Sequence, residues 1–529
     1  MIFDKIKKTI NIIENSEYSI LSYFFSFFVI INLRCFLEVF SSASRIDFLQ
    51  YSHYVLFYFS IVISFVILFY FASREKIEKI FKVVLSFSPV ILIPPLIDLL
   101  VCGDRHCTMT YLTNSATHSS NLLARFLTLG GEYRSIGGIT PGIKVELIVV
   151  LLASFVYFLL KKRGYLKSVF FAFITYVIFF AYFATPIFLS LFLEIFNKNI
   201  KDNFNFYLAN YFIIIISLQL IVVLFLYNRK IFNAIIGDMR WLRILYFEAM
   251  VWIGLFIARG GLGIKGYYLN TTNASDSFVN FPFPYLTFAI IMVFAWLYSV
   301  IGNNIEDFEI DKISNPDRPL VSKKVPVDVY RQIGNISLIL VLSSSAVVGF
   351  SVFYFLLIFI GNYFIYSTRP FRLKRVPILS KLVISVNSLL LMLVGYLYGF
   401  NAVSQSASSI IRTFPGEVVF FVLVLMTLAI NFIDIKDYEG DKKAGIKTLP
   451  VILGLRRGKT VIGMFFLAVY VSIYFIFRIN ILLFFFLLII GMIQFVLINR
   501  KKYTERPIFL FILLSILILF FGKLFAVSI

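Results

Sequence analysis

Charged side chains are scarce in this chain of 529 residues: Asp, Glu, Lys and Arg together make up 15% of it. Cysteine is rarer still, and three cysteines cannot hold so long a chain together by disulfide bonds. Such a low charge excludes an intrinsically disordered protein, because disordered chains are rich in charge and poor in apolar residues. In place of charge the chain has 60% hydrophobic residues, including 64 Phe and 30 Tyr, whereas soluble domains have about 45–50%. This composition excludes a soluble globular enzyme and indicates a helical membrane protein.

Apolar runs of spanning length recur along the whole chain and predict about fifteen transmembrane helices, at roughly 20 residues each. The runs lie at 18–40, 51–72, 80–101, 143–160, 168–192, 204–227, 244–261, 284–302, 333–350, 352–366, 379–400, 415–433, 460–477, 480–498 and 507–528. The segment before the first run is polar and carries lysine, and that run is too long for the core of a cleavable signal peptide. We therefore expect an all-α polytopic membrane protein.

The net charge of +21 is carried by lysines and arginines that fall in alternate loops, if every span is real. Basic loops are typical of the cytoplasmic side of a membrane protein, so we expect the N-terminus inside and, with an odd number of spans, the C-terminus outside. Because topology accounts for the positive charge, we expect no nucleic-acid partner. A multi-pass chain without a secretory signal indicates a prokaryotic plasma membrane.

The polar segments divide the chain into two parts. Residues 1–230 contain six spans joined by short basic cytoplasmic loops, and residues 235–529 contain nine spans whose cytoplasmic loops are long and acid-rich. The expected architecture is a six-helix N-terminal membrane domain followed by a nine-helix bundle. In the first part, Arg34 and Glu38 lie four residues apart in one span, which predicts an ion pair that faces the bundle. The sequence assigns this first part no function.

All three cysteines lie in the first part. Cys102 and Cys107 fall in a segment predicted to be external, 102–142, where an oxidising environment favours a disulfide bond. Cys35 is then expected to be buried and free.

The loop after the span at 284–302 runs NNIEDFEIDKISNPDRPL. If the helix continues into this loop, Asn303, Asp307 and Asp311 are spaced i, i+4, i+8 and lie on one face, with Asn304 beside them. One helical face then presents several oxygen ligands to the cytoplasmic side.

The loop after the span at 415–433 runs DIKDYEGDKKAGIKTLP and presents a second set of carboxylates, Asp434, Asp437 and Asp441. Carboxylates this close raise each other's pKa unless a cation neutralises them. Oxygen ligands suit Mg²⁺, which usually takes one or two protein carboxylates together with substrate phosphates. Since both acidic loops are predicted on the cytoplasmic side, they predict a site for a Mg²⁺-bound diphosphate.

A basic loop between the two acidic loops, YSTRPFRLKR at 366–375, is predicted on the same side. Its cations are Arg369, Arg372, Lys374 and Arg375. Arg and Lys stabilise developing charge on phosphate groups, so this loop suits a diphosphate that departs as a leaving group.

At these residues the sequence resembles the UbiA superfamily of intramembrane prenyltransferases. The family carries NDxxDxxxD in one cytoplasmic loop and a DxxD-type motif followed by EGD in another, and this chain has NNIEDFEID at 303–311 and DIKDYEGD at 434–441. NPDRPL at 315–320 and YSTRPFRLK at 366–374 also look like family segments. The resemblance covers about 235–529, implies a UbiA-type bundle there, and leaves the first part unexplained.

The resemblance implies a Mg²⁺-dependent prenyltransferase with its site at the cytoplasmic face. The implied catalytic residues are Asp307, Asp311, Asp434, Asp437 and Lys374. The implied metal ligands are Asn303, Asn304, Asp307, Asp311, Asp434, Asp437 and Asp441. The implied diphosphate-binding residues are Asn303, Arg318, Tyr366, Arg369, Arg372 and Lys374.

Two features depart from the family pattern. Asn304 stands where the family usually has Asp, so this position contributes no charge to a metal site. The Arg-Pro pair often found before the first family helix is absent, and Arg240 or Arg243 is expected to supply its cation.

The resemblance also implies a polyprenyl or geranylgeranyl diphosphate as donor and a membrane setting among lipids. Two acceptors stay open: an aromatic quinone precursor and a glycerol-phosphate lipid. Transfer of phosphoribose to a polyprenyl phosphate is a further family activity, but NPDRPL looks less like that branch. The rival class is a transporter or a non-catalytic lipid-binding protein with a degenerate site. Transporters place ionisable groups near the bilayer midplane, whereas these acid clusters lie at the ends of spans.

Overall fold

Helices make up the secondary structure of the protein. The computed structural model describes residues 2–42, 46–102, 111–112, 122–130, 139–161, 163–196, 199–258, 283–400, 407–443 and 445–527, and these residues form no β-strand. The all-α class predicted from the sequence is confirmed. The chain divides into two compact units, Met1–Arg229 and Lys230–Ile529.

The N-terminal unit contains ten α-helices in its described part. Their bounds are α1 Ile2–Glu14, α2 Ile20–Ser42, α3 Phe48–Ser73, α4 Ile77–Ser86, α5 Ile93–Cys102, α6 Leu122–Leu127, α7 Pro141–Leu160, α8 Tyr165–Phe183, α9 Thr185–Glu194 and α10 Phe204–Tyr227. Short 3₁₀ helices at Ser88–Leu92 and Ile200–Asn203 precede α5 and α10.

The helices of the C-terminal unit begin at the boundary with α11. Their described bounds are α11 Arg229–Asp238, α12 Trp241–Ala258, α13 Phe283–Glu306, α14 Phe308–Ser314, α15 Val327–Val348, α16 Phe350–Ser367, α17 Leu379–Gly399, α18 Ala407–Arg412, α19 Gly416–Phe420, α20 Thr427–Ala429, α21 Tyr438–Lys443, α22 Leu449–Leu453, α23 Leu455–Phe477, α24 Ile481–Asn499 and α25 Arg506–Val527. A short 3₁₀ helix, Leu373–Arg375, lies in the basic loop.

Fourteen segments of the described chain are long and apolar enough to cross a membrane, so the protein is an integral membrane protein. The sequence predicted one more, and the difference is the last helix, whose described apolar part, Arg506–Phe521, is shorter than a span. The predicted run at 168–192 is also divided, into α8 and α9. Pro186 lies in the first turn of α9, where a missing N–H is tolerated and a helix commonly begins.

The first span of the N-terminal unit contains the ion pair that the sequence predicted. Arg34 and Glu38 lie on α2 and are 3% and 7% exposed, so each charge is compensated inside the bundle. Cys35 beside them is buried and free, as predicted. The expected pairing of Cys102 with Cys107 lies outside the described residues.

Close packing of α12 against α17 sets the shape of the C-terminal unit. A Cβ added to Gly254 would lie 1.8 Å from the carbonyl oxygen of Met392, and one added to Gly395 would lie 1.9 Å from that of Val251. Only glycine permits two helix backbones to approach this closely. The two helices form adjoining walls of the cavity described below.

Irregular helix ends place the two acidic loops. Asp307 lies between α13 and α14 with φ −95° and ψ 11°. Its N–H still donates to the carbonyl oxygen of Asn303 at 2.9 Å, and the N–H of Asp311 donates to that of Asp307 at 2.8 Å. The four-residue spacing therefore persists through the bend. The second acidic loop follows a span with a π-helical turn, Phe421–Met426, and a 3₁₀ end, Ile430–Asp434, irregularities that are frequent near functional sites.

Candidate active site

A cavity of about 370 Å³ lies inside the C-terminal unit, with charged side chains at one end and apolar side chains along the rest. Its lining includes these residues predicted from the sequence: Asn303, Asp307, Asp311, Arg318, Tyr366, Lys374, Asp434, Asp437 and Asp441. Asn304 and Arg372 are buried next to lining residues, whereas Arg369 is exposed. The structure thus brings both acidic loops and part of the basic loop to one cavity.

Asp307 joins the first acidic loop to the basic loop. Its Oδ1 accepts a hydrogen bond from Arg372 Nη2 at 2.9 Å and another from Lys374 Nζ. Lys374 Nζ also lies 3.4 Å from Asn303 Oδ1. Burial lowers the pKa of Lys374, and the charge of Asp307 opposes that shift. Both cations therefore contact Asp307, and Lys374 also lines the cavity.

Asn315, the first residue of the NPDRPL segment, joins the two acidic loops. Its Nδ2 donates to Asp311 Oδ1 at 3.1 Å and to Asp437 Oδ1 at 3.3 Å. Asp311 also forms a buried ion pair with Arg318. Burial raises the pKa of Asp311 to about 6; Arg318 opposes the rise, and the charges of Asp307 and Asp437 add to it.

Asp434 is the carboxylate at the end of its span, and it pairs with a cation from α17. Lys381 Nζ lies 2.5 Å from Asp434 Oδ1, while Asp434 Oδ2 is buried and has no hydrogen-bond partner among the described residues. Burial, followed by the charges of Asp434 and Asp437, raises the pKa of Asp441 to about 7. An unpaired buried oxygen among mutually repelling carboxylates is an arrangement that a cation would stabilise.

The oxygen donors at this end fit a hard divalent cation, since carboxylate and amide oxygens are the ligands that Mg²⁺ prefers. Among the described residues, no three His, Cys, Asp or Glu side chains are grouped closely enough to hold a metal ion. Three of the carboxylates, Asp307, Asp311 and Asp434, instead form ion pairs with Arg318, Arg372, Lys374 and Lys381. The residues thus fit Mg²⁺ by their chemistry, and metal binding requires some of these ion pairs to give way to metal contacts.

Asn304, which departs from the family pattern, uses its amide within the protein. Its Nδ2 donates to Asp238 Oδ2 and to Tyr330 Oη, both at 2.8 Å, and its Oδ1 accepts from Arg318 Nη1 at 2.8 Å. An Asp at this position would place its charge against that of Asp238. The asparagine therefore suits its surroundings, and it positions Arg318 at the edge of the cavity.

A second group of cations lines the same cavity: Arg240, Arg243 and Lys436. Glu505 accepts from Arg243 Nη2 at 2.8 Å and from Lys436 Nζ at 3.1 Å. Burial alone would raise the pKa of Glu505, but the charges of Arg243, Lys436 and Arg240 lower it to about 2. Burial, followed by the charge of the neighbouring Arg243, lowers the pKa of Lys436 to about 8, while Glu505 and Asp437 oppose that shift.

Sequence reasoning missed three residues that organise the site. Lys381 carried a usable signal, because a charge inside an apolar span is a candidate functional residue. Asn315 lies in a segment that the resemblance singled out, but nothing in the spacing indicates that its amide bridges two loops. Glu505 lies 262 residues from Arg243 in the chain, so no local pattern reveals the pair.

The fold and the site together define an integral membrane protein whose polar centre lies at one end of an apolar cavity. Residues 266–517 match the family model described as the UbiA prenyltransferase family. This part of the chain is therefore similar to that family.

Individual relatives cover only part of the chain. Digeranylgeranylglyceryl phosphate synthase of Pyrococcus horikoshii is 26% identical over 33% of this chain and 61% of its own length. The probable chloroplastic homogentisate phytyltransferase 2 of Oryza sativa subsp. japonica is 32% identical over 30% of this chain and 42% of its own. The chain thus spans between two fifths and about three fifths of these two relatives. The solved UbiA homolog from Archaeoglobus fulgidus bound to GPP and Mg²⁺ is 18% identical, with a TM-score of 0.38 over 56% of this chain and 100% of that one.

Proposed function

We propose that the C-terminal unit is a Mg²⁺-dependent intramembrane prenyltransferase, which moves an isoprenoid from its diphosphate to an acceptor. The observation that carries this proposal is the cavity itself, where two acidic loops and Lys374 meet at one end of an apolar channel. An isoprenoid diphosphate has the same division, with a charged head and an apolar tail. Similarity to the family supports the same reaction class.

The residues at the charged end have distinct roles in this proposal. Asp307, Asp311, Asp434 and Asp437, with the Asn303 oxygen, would hold Mg²⁺, and Asp441 lies beside them. Bound Mg²⁺ would neutralise the diphosphate and make it a better leaving group. Lys374 and Arg372 already lie together on Asp307, so they are placed to donate hydrogen bonds to the diphosphate oxygens as the carbon–oxygen bond breaks. Tyr366 and Arg318 line the same end and complete the proposed diphosphate contacts.

The apolar part of the cavity would protect the allylic cation that remains after diphosphate departs. Water would quench such a cation, and a dry cavity excludes it. Attack by the acceptor then forms the new bond to the isoprenoid, and the acceptor loses a proton. Aromatic rings line this part of the cavity, among them those of Phe247 and Tyr363, whose centroids lie 6.0 Å apart.

The acceptor in this proposal carries a negative charge. Arg240, Arg243 and Lys436 line the cavity. Among the described residues, Glu505 is the acid that forms ion pairs with two of these cations, Arg243 and Lys436. Both acceptor classes left open by the sequence suit this excess of positive charge, since an aromatic acid has a carboxylate and a glycerol-phosphate lipid has a phosphate. The relatives named above include one synthase of each kind.

The location is proposed from charge distribution. Basic loops assign the site and the N-terminus to the cytoplasmic side of a prokaryotic plasma membrane, with the C-terminus outside if the last helix also crosses. Cysteine labelling of single-cysteine variants in intact cells tests this orientation.

The function is tested with the purified full-length chain, geranylgeranyl diphosphate, Mg²⁺ and a panel of acceptors: 4-hydroxybenzoate, homogentisate, a dihydroxynaphthoate and geranylgeranylglyceryl phosphate. We expect a prenyl adduct with one of them, seen by mass spectrometry, that disappears when EDTA removes the metal. The opposite result is tight binding of geranylgeranyl diphosphate with no release of inorganic diphosphate and no effect of Mg²⁺. That result would support the lipid-binding or transport alternative and overturn the proposal.

A further inference from the structure

The apolar part of the cavity follows three helices in parallel. On α12 the lining residues recur every three or four positions from Arg243 to Phe256. The same spacing runs from Phe466 to Phe477 on α23 and from Phe509 to Phe520 on α25. Residues at this spacing share one helix face, so each helix turns a continuous stripe towards the cavity.

The length of these stripes measures the cavity along its axis. Arg243 and Phe256 are thirteen residues apart, which is about 20 Å at the α-helical rise. The first and last residues of the stripes on α23 and α25 are each eleven residues apart, or about 16 Å. An extended isoprene unit adds four chain carbons, about 5 Å at ordinary bond lengths and angles. The cavity therefore matches a tail of three to four isoprene units.

Two aromatic pairs lie near the ends of these stripes, far from the carboxylates, where Val418 and Ile479 also line the cavity. The rings of Phe256 and Phe520 have centroids 4.4 Å apart, and those of Phe421 and Phe477 are 5.3 Å apart in an edge-to-face contact. All four residues line the cavity. Phe421 stands thirteen residues before Asp434 in its span, so it lies a similar distance from the charged end.

We propose that Phe256, Phe520, Phe421 and Phe477 form the floor of a tail-binding channel and limit the donor to about four isoprene units. This inference rests on the proposed prenyl transfer and deepens it, because it names the class of donor. Tails up to geranylgeranyl fit between the charged end and the floor. A longer tail meets the aromatic rings and has to displace them, which costs packing energy.

The chain offers a matched control on the same helix. Phe521 follows Phe520 directly, but its side chain is 52% exposed on the outer surface and does not line the cavity. Phe520→Ala and Phe521→Ala therefore make the same chemical change on opposite sides of α25. Only Phe520→Ala removes a ring from the floor and thereby lengthens the channel.

The first experiment measures kcat/KM of the full-length protein with geranyl, farnesyl, geranylgeranyl and hexaprenyl diphosphates. For the wild type, we expect kcat/KM to be roughly tenfold or more lower with hexaprenyl diphosphate than with geranylgeranyl diphosphate. Phe256→Ala and Phe520→Ala should each recover most of that loss, whereas Phe521→Ala should retain the wild-type profile. If floor variants unfold, Ile253→Trp provides the opposite change, because it fills the channel one turn above Phe256 and should lower geranylgeranyl use relative to geranyl.

The outcomes separate this inference from the proposed function. Turnover that is equal from geranyl to hexaprenyl, and unchanged in the Phe520 and Ile253 variants, would contradict the floor while leaving prenyl transfer intact. It would mean that the tail leaves the bundle sideways into the bilayer. Absence of Mg²⁺-dependent turnover with every donor would contradict the proposed function itself.

Discussion

Buried charges are arranged differently in the two units. In the N-terminal unit, Arg34 and Glu38 contact each other along one helix, and Lys161 pairs with Glu14 at 2.7 Å. In the C-terminal unit, Asp307 and Asp434 also pair with cations, but they line a cavity. Ion pairs inside a membrane protein are therefore not evidence of a site by themselves. What distinguishes the second unit is the cavity that lies beside these buried charges.

This difference predicts which kind of damage a substitution causes. Where charges only neutralise each other, removing one leaves the other buried and unpaired, so the loss is in stability. Where charges face a cavity, a charge can be removed with little structural cost, and the loss is in ligand binding or chemistry. The predictions below run from the largest expected effect to the smallest.

Asp437→Asn should give the largest effect. Asp437 accepts a 3.3 Å hydrogen bond from Asn315 and forms no ion pair among the described residues, so an amide of the same shape leaves the fold intact. Loss of its charge should lower prenyl-transfer kcat by about 10²–10³-fold, as expected for a group that stabilises a charged transition state. Steady-state kinetics across a Mg²⁺ titration measures this, and we expect the Mg²⁺ requirement to rise as well.

The matched control is Glu439→Gln, two residues further along the same loop on an exposed side chain. It makes the same acid-to-amide change outside the cavity and should leave both kcat and the Mg²⁺ requirement unchanged. Equal losses in the two variants would show that the loop, rather than the cavity-facing charge, is what matters.

Arg34→Leu should lower the stability of the N-terminal unit and leave the chemistry of the C-terminal unit unchanged. The substitution leaves Glu38 buried without its partner on α2, which costs about 3–5 kcal/mol in comparable buried pairs. We expect a lower thermal unfolding temperature in detergent, and normal kcat per folded molecule. The double variant Arg34→Leu/Glu38→Leu should recover much of the stability, because it removes both buried charges of the pair together. A selective loss of kcat in the folded single variant would contradict the distinction between the two units.

The sequence predicted the fold class, most of the spans and the loops that meet at the site. These features are local. Apolar runs predict the spans, and basic loops predict which loops lie on the cytoplasmic side of the membrane. Breaks inside runs were harder to predict. The 168–192 run divides at Pro186.

The contacts of the site were less predictable than its location. The sequence did not indicate that Arg318 pairs with Asp311 and with Asn304, or that Arg369 from the basic loop is exposed. Their contacts with a diphosphate stay predictions. Such pairings depend on which loops meet in three dimensions. Glu505 shows this most clearly, since it holds two cations that come from distant parts of the chain.

Glu505→Gln should have a smaller effect that depends on pH. The cations Arg243 and Lys436 outweigh the effect of burial and lower the pKa of Glu505 from 4.5 to about 2. A lowered carboxyl pKa stabilises the folded state above the unfolded-state pKa, and this stabilisation is lost as pH falls through the folded-state pKa. The variant should therefore lose at most about 3 kcal/mol at pH about 7, and clearly less at pH about 3. Unfolding temperatures of the two proteins at both pH values measure it, and a difference independent of pH would show that Glu505 acts by packing alone.

Tyr182→Phe should have the smallest effect, because it removes one member of a polar network that remains connected without it. Tyr182 Oη lies 2.6 Å from Ser60 Oγ and 2.9 Å from Ser64 Oγ. Gln219 Nε2 still reaches the carbonyl oxygen of Ser60 at 3.0 Å and Ser64 Oγ at 2.7 Å after the hydroxyl is removed. Hydrogen bonds between membrane helices contribute only about 0.6 kcal/mol on average, so the expected loss of stability is about 1 kcal/mol or less, measured by unfolding in detergent. A loss as large as that of Arg34→Leu would mean that the remaining hydrogen bonds of Gln219 do not hold the network together without the hydroxyl.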